Sequence, residues 1–110
     1  MLNVKAKAPS FANTWTFMTN HAHVVLCIAE NPRSRTRDLA TKIGITERAV
    51  QRIIAELEAD GYLSHDRHGR NNHYTVRTDL PLRHPVEQHC GVSALIEMTL
   101  KGNNAEGLAR

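Results

Sequence analysis

The stretch "ATKIGITERAV", Ala40 to Val50, places good helix-forming sequence on both sides of a Gly-Ile-Thr interruption. Leu39 and Ile43 form an i, i+4 apolar pair, and Gly44 stands where a left-handed residue closes a helix. A short helix from about Thr36 to Ile43 follows. Thr46 is a suitable N-cap for a second helix, Glu47 to about Ala59, which Gly61 terminates. Two helices joined by a three-residue turn with a glycine cross steeply, as a helix-turn-helix unit does. Ala40 lets the helices approach, Gly44 supplies the turn, and Ile45, Val50 and Ile53 fill the angle between them.

The second helix divides into two faces. Val50, Ile53, Ile54 and Leu57 share one arc, and Glu47, Arg48, Gln51, Arg52 and Ala55 the opposite one. Arg48, Gln51 and Arg52 can donate to base edges or phosphates, whereas Glu56, Glu58 and Asp60 load the far end with negative charge. The N-terminal half is therefore the part suited to a major groove, with its positive dipole end toward phosphate. Residues 33 to 52 hold six basic side chains, Arg33, Arg35, Arg37, Lys42, Arg48 and Arg52, against the two acidic ones Asp38 and Glu47. A merely solvated helix face does not require that imbalance beside a helix-turn-helix joint.

Outward from this unit, the pattern simplifies. Trp15, Met18, Ala22, Val25, Leu26 and Ala29 recur at helical spacing, and Asn31-Pro32 closes the segment. The helix starts between Thr14 and Asn20, with Thr19 or Asn20 as an alternative N-cap that leaves Trp15 on a preceding turn. After Gly61, Tyr62-Leu63 opens a strand, "RHGRNN" carries turn residues, and His73 to Val76 returns with Tyr74 and Val76 on one face. Asn71 and Asn72 read as turn formers. The hairpin tip, Arg67, His68, Gly69 and Arg70, is a compact basic loop suited to a neighbouring backbone or minor groove. Pro81 and Pro85 punctuate a loop, and Pro85 is placed to begin a last helix running to about Leu100, which Gly91 weakens or splits. Residues 1–13 read as a flexible arm and 102–110 as a disordered tail. The fold class is mainly α with a small β-hairpin: a winged helix-turn-helix of residues 14–80, with a three-helix core plus wing, and a C-terminal helix within 81–101.

"TRDLATKIGITERAVQRIIAELEADGYL" followed by "HDRHGRNNHYTV" resembles the helix-turn-helix and wing of bacterial winged-helix transcription regulators of the MarR/ArsR-like type. The similarity runs over about residues 15 to 80, and "ELEADGYL" is among its more specific features. It implies operator binding as a dimer and, in many members, response to a ligand. By position Thr46, Arg48, Gln51 and Arg52 match recognition-helix positions, and Arg67 and Arg70 match wing positions. Together with Arg35, Arg37, Glu47 and His68 they form the candidate double-stranded DNA contacts. The chain departs from full MarR proteins in having no long N-terminal helix and no long C-terminal helix pair, so their phenolic-ligand pocket does not carry over.

One such unit covers one half-site, so a homodimer fits a palindromic operator. Val86, Cys90, Leu95, Ile96 and Leu100 give the last helix an apolar side as the candidate dimer interface. An unknown small-molecule effector is a further possible partner. The remaining observations exclude rather than assign. With 110 residues, 41% of them hydrophobic, the chain is the size of one ordinary domain, and its net charge of +3 permits a polyanionic partner without requiring one. No apolar run reaches about 20 residues, and the first residues lack the apolar region of a secretory signal, so a cytoplasmic protein without membrane insertion is expected. Cys27 and Cys90 form no CxxC, and the seven histidines stand at no spacing that closes a zinc or nickel site, although His65, His68 and His73, or His84, His89 and Cys90, invite the comparison with metal-sensing repressors. No metal or other cofactor is expected. Nucleophile motifs, phosphate loops and glycine-rich fingerprints are missing, so an enzyme is not expected. The rival is a winged-helix module that binds protein, against which the basic 33–52 stretch argues.

Overall fold

The computed structural model describes residues 15–101. The expected N-terminal arm and C-terminal tail lie outside them. Helix α1, Asn20–Glu30, begins at the later of the possible starts: Thr19 is its N-cap, and its Oγ1 accepts the Ala22 N–H at 3.1 Å. Trp15 therefore precedes the helix and is 75% exposed. The buried face of α1 differs from the one periodicity picks out. Val24 and Ile28 are fully buried with Val25 beside them, while Ala22, Leu26 and Ala29 are half-buried. Starting at Asn20 removes Trp15 and Met18 from the helical phase, and the run Val24 to Ala29 is apolar almost all round, so only packing selects a face.

Asn31 closes α1, and Pro32 follows in a turn held to it. The Asn31 carbonyl accepts Ser34 N–H at 3.0 Å and Ser34 Oγ at 2.7 Å, and Asn31 Oδ1 accepts the Arg33 N–H at 3.1 Å. Helix α2, Thr36–Ile43, ends at Gly44, whose φ of +88° is left-handed and whose N–H donates to the Ala40 carbonyl. Helix α3, Glu47–Ala59, starts at Thr46, whose hydroxyl accepts the Ala49 N–H at 3.0 Å. Leu39, Ala40, Val50, Ile53 and Ile54 are buried where the two helices meet α1, with Ile43 and Ile45 packed at the edge. The joint inferred from the spacing is the joint observed.

Gly61, φ +84°, turns the chain into strand β1, Leu63–His68, which pairs antiparallel with β2, Asn71–Val76, in register from Leu63 opposite Val76 to His68 opposite Asn71. Only Gly69 and Arg70 form the turn. Gly69 takes φ +65° at the first turn position, as the II′ hairpin requires. Asn71 and Asn72 are thus the first residues of β2 and not turn formers, because two-residue hairpin geometry leaves them paired with His68 and Arg67. Leu63 and Tyr74 are the buried residues of the hairpin, and Tyr74 N–H donates to the Pro32 carbonyl at 2.9 Å, which stitches the wing to the α1–α2 turn.

The last segment corrects the expected helix from Pro85. Residues 85–89 are turns and Cys90 is a bend, and helix α4 is only Val92–Ile96, continued by a π-helical turn, Glu97–Lys101. Backbone pairing explains the late start. Leu82 N–H donates to Cys90, Val92 N–H to Leu80 and Ser93 N–H to Thr78, so the residues a longer helix would use are bonded across to the preceding strand-like segment. Pro81 and Gly91 form an isolated antiparallel bridge, with Gly91 extended as the N-cap. Among the described residues, four helices and a two-stranded hairpin thus build a winged helix-turn-helix, with the main core among α1, α2, α3 and the wing.

Candidate nucleic-acid interface

The outward face of α3 is set by what its inward face buries. With Val50, Ile53 and Ile54 in the core, Glu47, Arg48, Gln51, Arg52 and Ala55 are exposed. The electrostatics sort these side chains. Among the described residues Arg48 and Gln51 have no side-chain partner, whereas Arg52 Nη1 lies 3.5 Å from Glu56 Oε2 and Arg37 Nε 3.9 Å from Glu47 Oε2. Glu56 also pairs with His21 at 2.7 Å; that hydrogen bond, with help from Arg52, holds its carboxyl below the usual carboxylate range. Thr46 is exposed, but its oxygen is engaged as the cap of α3. The N-terminal half of α3 therefore carries the donors left free for an outside acceptor.

The acidic end of α3 is largely tied up inside the chain. Glu58 pairs with His65 of β1, and Asp60 with Arg83 at 2.7 Å. Arg83 thereby offsets the Asp60 charge, and Glu58 is engaged by a hydrogen bond within the chain.

The wing supplies a second basic element. Arg67 and Arg70 are exposed at its tip; Arg67 Nε donates to the Gly69 carbonyl at 3.2 Å and so braces the turn, while Arg70 is unpaired among the described residues. His68 stacks on His73 with ring centroids 4.0 Å apart. Burial of the ring pushes the His73 pKa down from its ordinary value, and the neighbouring positive charge of His68 and Arg33 adds to that. Arg35 is exposed at the N-cap of α2, unpaired among the described residues, and offers no side-chain cap.

Two features were not assigned from sequence. Arg33 and Thr36 join Arg35 and Arg70 along a groove between the α1–α2 turn and β2. The Arg-x-Arg spacing ahead of α2 carried the signal for Arg33, but its nearness to the wing depends on the packing of Tyr74 in the core and the Tyr74–Pro32 bond. The second is an apolar groove of about 650 Å³ lined by Met18, Val25, Leu57, Tyr62, Leu82 and Leu95 among others. It joins residues from four separated segments, so no local pattern announces it.

The candidate dimer residues lie in different surroundings. Val86 is 77% exposed on the turn before α4, Cys90, Ile96 and Leu100 are half-buried, and Leu95 is buried within its own chain. No helix of the described residues is long and apolar enough to cross a membrane, and no cluster of three metal-ligating side chains occurs among them.

Residues 22–64 match the family described as winged helix-turn-helix DNA-binding. No curated protein matches the chain. Among solved structures, the crystal structure of a MarR family transcription regulator aligns with a TM-score of 0.48 and 16% identity, over 84% of this chain and 56% of its own. The chain thus spans little more than half the length of that protein.

Proposed function

We propose, from a chain whose residues 22–64 carry a winged helix-turn-helix DNA-binding segment, that the protein is a sequence-specific regulator of transcription. One observation carries the proposal: Arg48 and Gln51 project, unpaired among the described residues, from the N-terminal half of a helix whose opposite face is locked into the core. In a major groove, Arg48 is suited to guanine acceptors and Gln51 to adenine, while Arg35, Arg37, Arg52 and the wing tip at Arg67, His68 and Arg70 hold the backbone or the adjacent minor groove. The protein acts in the cytoplasm as a homodimer on a palindromic site, with the segment from Val86 to Leu100 contributing to the seam. The groove of about 650 Å³ supports a small effector with an apolar body, since its volume suits such a ligand and Glu56, Asp60 and Arg83 on its rim are already engaged, which leaves Glu87 as the rim charge without an ion pair among the described residues.

The test is titration of a duplex selected by the protein from a random library, against a scrambled duplex. Arg48→Ala and Gln51→Ala each weaken the selected duplex by about 1–3 kcal/mol and relax its sequence preference. Equal losses on both duplexes would defeat base reading by α3, and affinity indifferent to salt would favour a protein-binding module instead.

A further inference from the structure

We infer that the groove between the α1–α2 turn and the start of β2 is a phosphate-binding subsite in which Arg33, Arg35 and Arg70 converge on a single phosphate group. The groove holds about 410 Å³, and no acidic residue lines it. None of these three guanidinium groups has an ion-pair or side-chain hydrogen-bond partner among the described residues, whereas Arg37, Arg52, Arg77 and Arg83 each have one. Three unpaired cations sharing one concavity repel one another until an anion enters. Guanidinium forks match phosphate oxygens bidentately, and a tetrahedral phosphate, unlike a planar carboxylate, can accept from three directions.

The surrounding backbone is set before the anion arrives. Ser34 and Arg33 are anchored on Asn31, and Tyr74 N–H on Pro32, so the turn and the wing are held at one spacing. Thr36, the first residue of the eight-residue α2, also lines the groove, and its N-cap Arg35 makes no side-chain cap, so the first-turn N–H groups, which have no intrahelical acceptor, are not capped by that side chain either.

The chemistry has two possible sources: a phosphodiester of the DNA backbone, or a free phosphate ester. The first rests on the function proposed above, and the geometry favours it. Arg70 belongs to the wing turn, and Arg37, next to Thr36, pairs with Glu47 at the start of α3, so the groove adjoins both proposed DNA-contacting elements.

The experiment replaces each backbone phosphate of the selected duplex in turn with an uncharged methylphosphonate, and measures binding to the wild-type chain and to Arg33→Gln and Arg70→Gln. These positions are exposed, and thermal melting checks that both variants fold. One phosphate is expected at which the substitution weakens wild type about tenfold yet weakens a variant less than about twofold, with the log-log salt slope of each variant shallower by about 0.9. In parallel, inorganic phosphate and phenyl phosphate are titrated into the free protein while the Thr36 amide resonance is followed. Coupling in the first arm assigns the subsite to the DNA backbone. A saturable shift in the second, lost in both variants and without coupling in the first, assigns it to a free phosphate ester. Neither response overturns the inference. A wild-type chain that selects no duplex defeats the regulator function, and the phosphate titration then decides the subsite alone.

Discussion

Gly44 shows how much one residue can carry. Its φ of +88° is the left-handed value that ends α2 and aims the chain at α3, and a Cβ added there would meet nothing within 4 Å. The cost of a side chain is therefore conformational and not steric. Gly44→Ala is expected to lower the unfolding free energy by roughly 1–2 kcal/mol, and Gly44→Asn by less, because asparagine tolerates the left-handed region. Urea unfolding of the three proteins measures this, and an alanine variant as stable as wild type would refute it. Gly44 and Thr46 were legible in the sequence because turn and cap chemistry act over three or four neighbouring residues. Arg48 was legible as exposed, but its freedom from partners was not. That freedom depends on where Glu56 and Glu47 find their own partners, namely Arg52 with His21, and Arg37.

The wing is the element in which charge and stability pull apart. In the folded chain the His73 pKa lies below its ordinary value, first through burial of the ring and then through the charges of His68 and Arg33. The unfolded chain therefore binds more protons as pH falls through the ordinary histidine range near about 6.5, and folding is disfavoured in that window down to the folded-state value. Urea midpoints are expected to fall between about pH 7.5 and about pH 5, by less in His73→Gln than in wild type. An unchanged difference in the variant would place the effect elsewhere. DNA affinity should move the other way over the same range, since each proton adds positive charge to the wing. The hairpin was legible from its alternation and its Gly69 turn. The start of β2 at Asn71 was not, because asparagine favours turns and only a two-residue loop leaves Asn71 and Asn72 in the ladder.

At the scale of the whole molecule, the question is what covers its remaining apolar surface. Val86 is 77% and Met98 58% exposed, beside the shortened α4, while Val92 and Leu95 are already spent on the chain's own packing. A homodimer seam at this end is expected to give a dimer mass by light scattering at tens of micromolar, and Val86→Glu with Met98→Glu to return it to monomer. A wild-type monomer under those conditions would rule the seam out. Disruption of the dimer should weaken a palindromic duplex far more than a half-site, because only the former uses two recognition helices.

The primary structure by itself determined the helix-turn-helix joint, the two faces of α3 and the existence of a wing, because these depend on caps, turns and periodicities that operate within a few residues. Tertiary structure alone decided the rest. It selected Val24 and Ile28 as the buried face of an almost uniformly apolar α1. It delayed α4 to Val92 by bonding residues 90–93 back to 78–82. It also drew Arg33, Arg35 and Arg70 to one groove, through the core packing of Leu63 and Tyr74 and the bond from Tyr74 to Pro32. The physical reason is common to all three: each depends on which distant partner satisfies a backbone or apolar group, and local sequence does not name that partner.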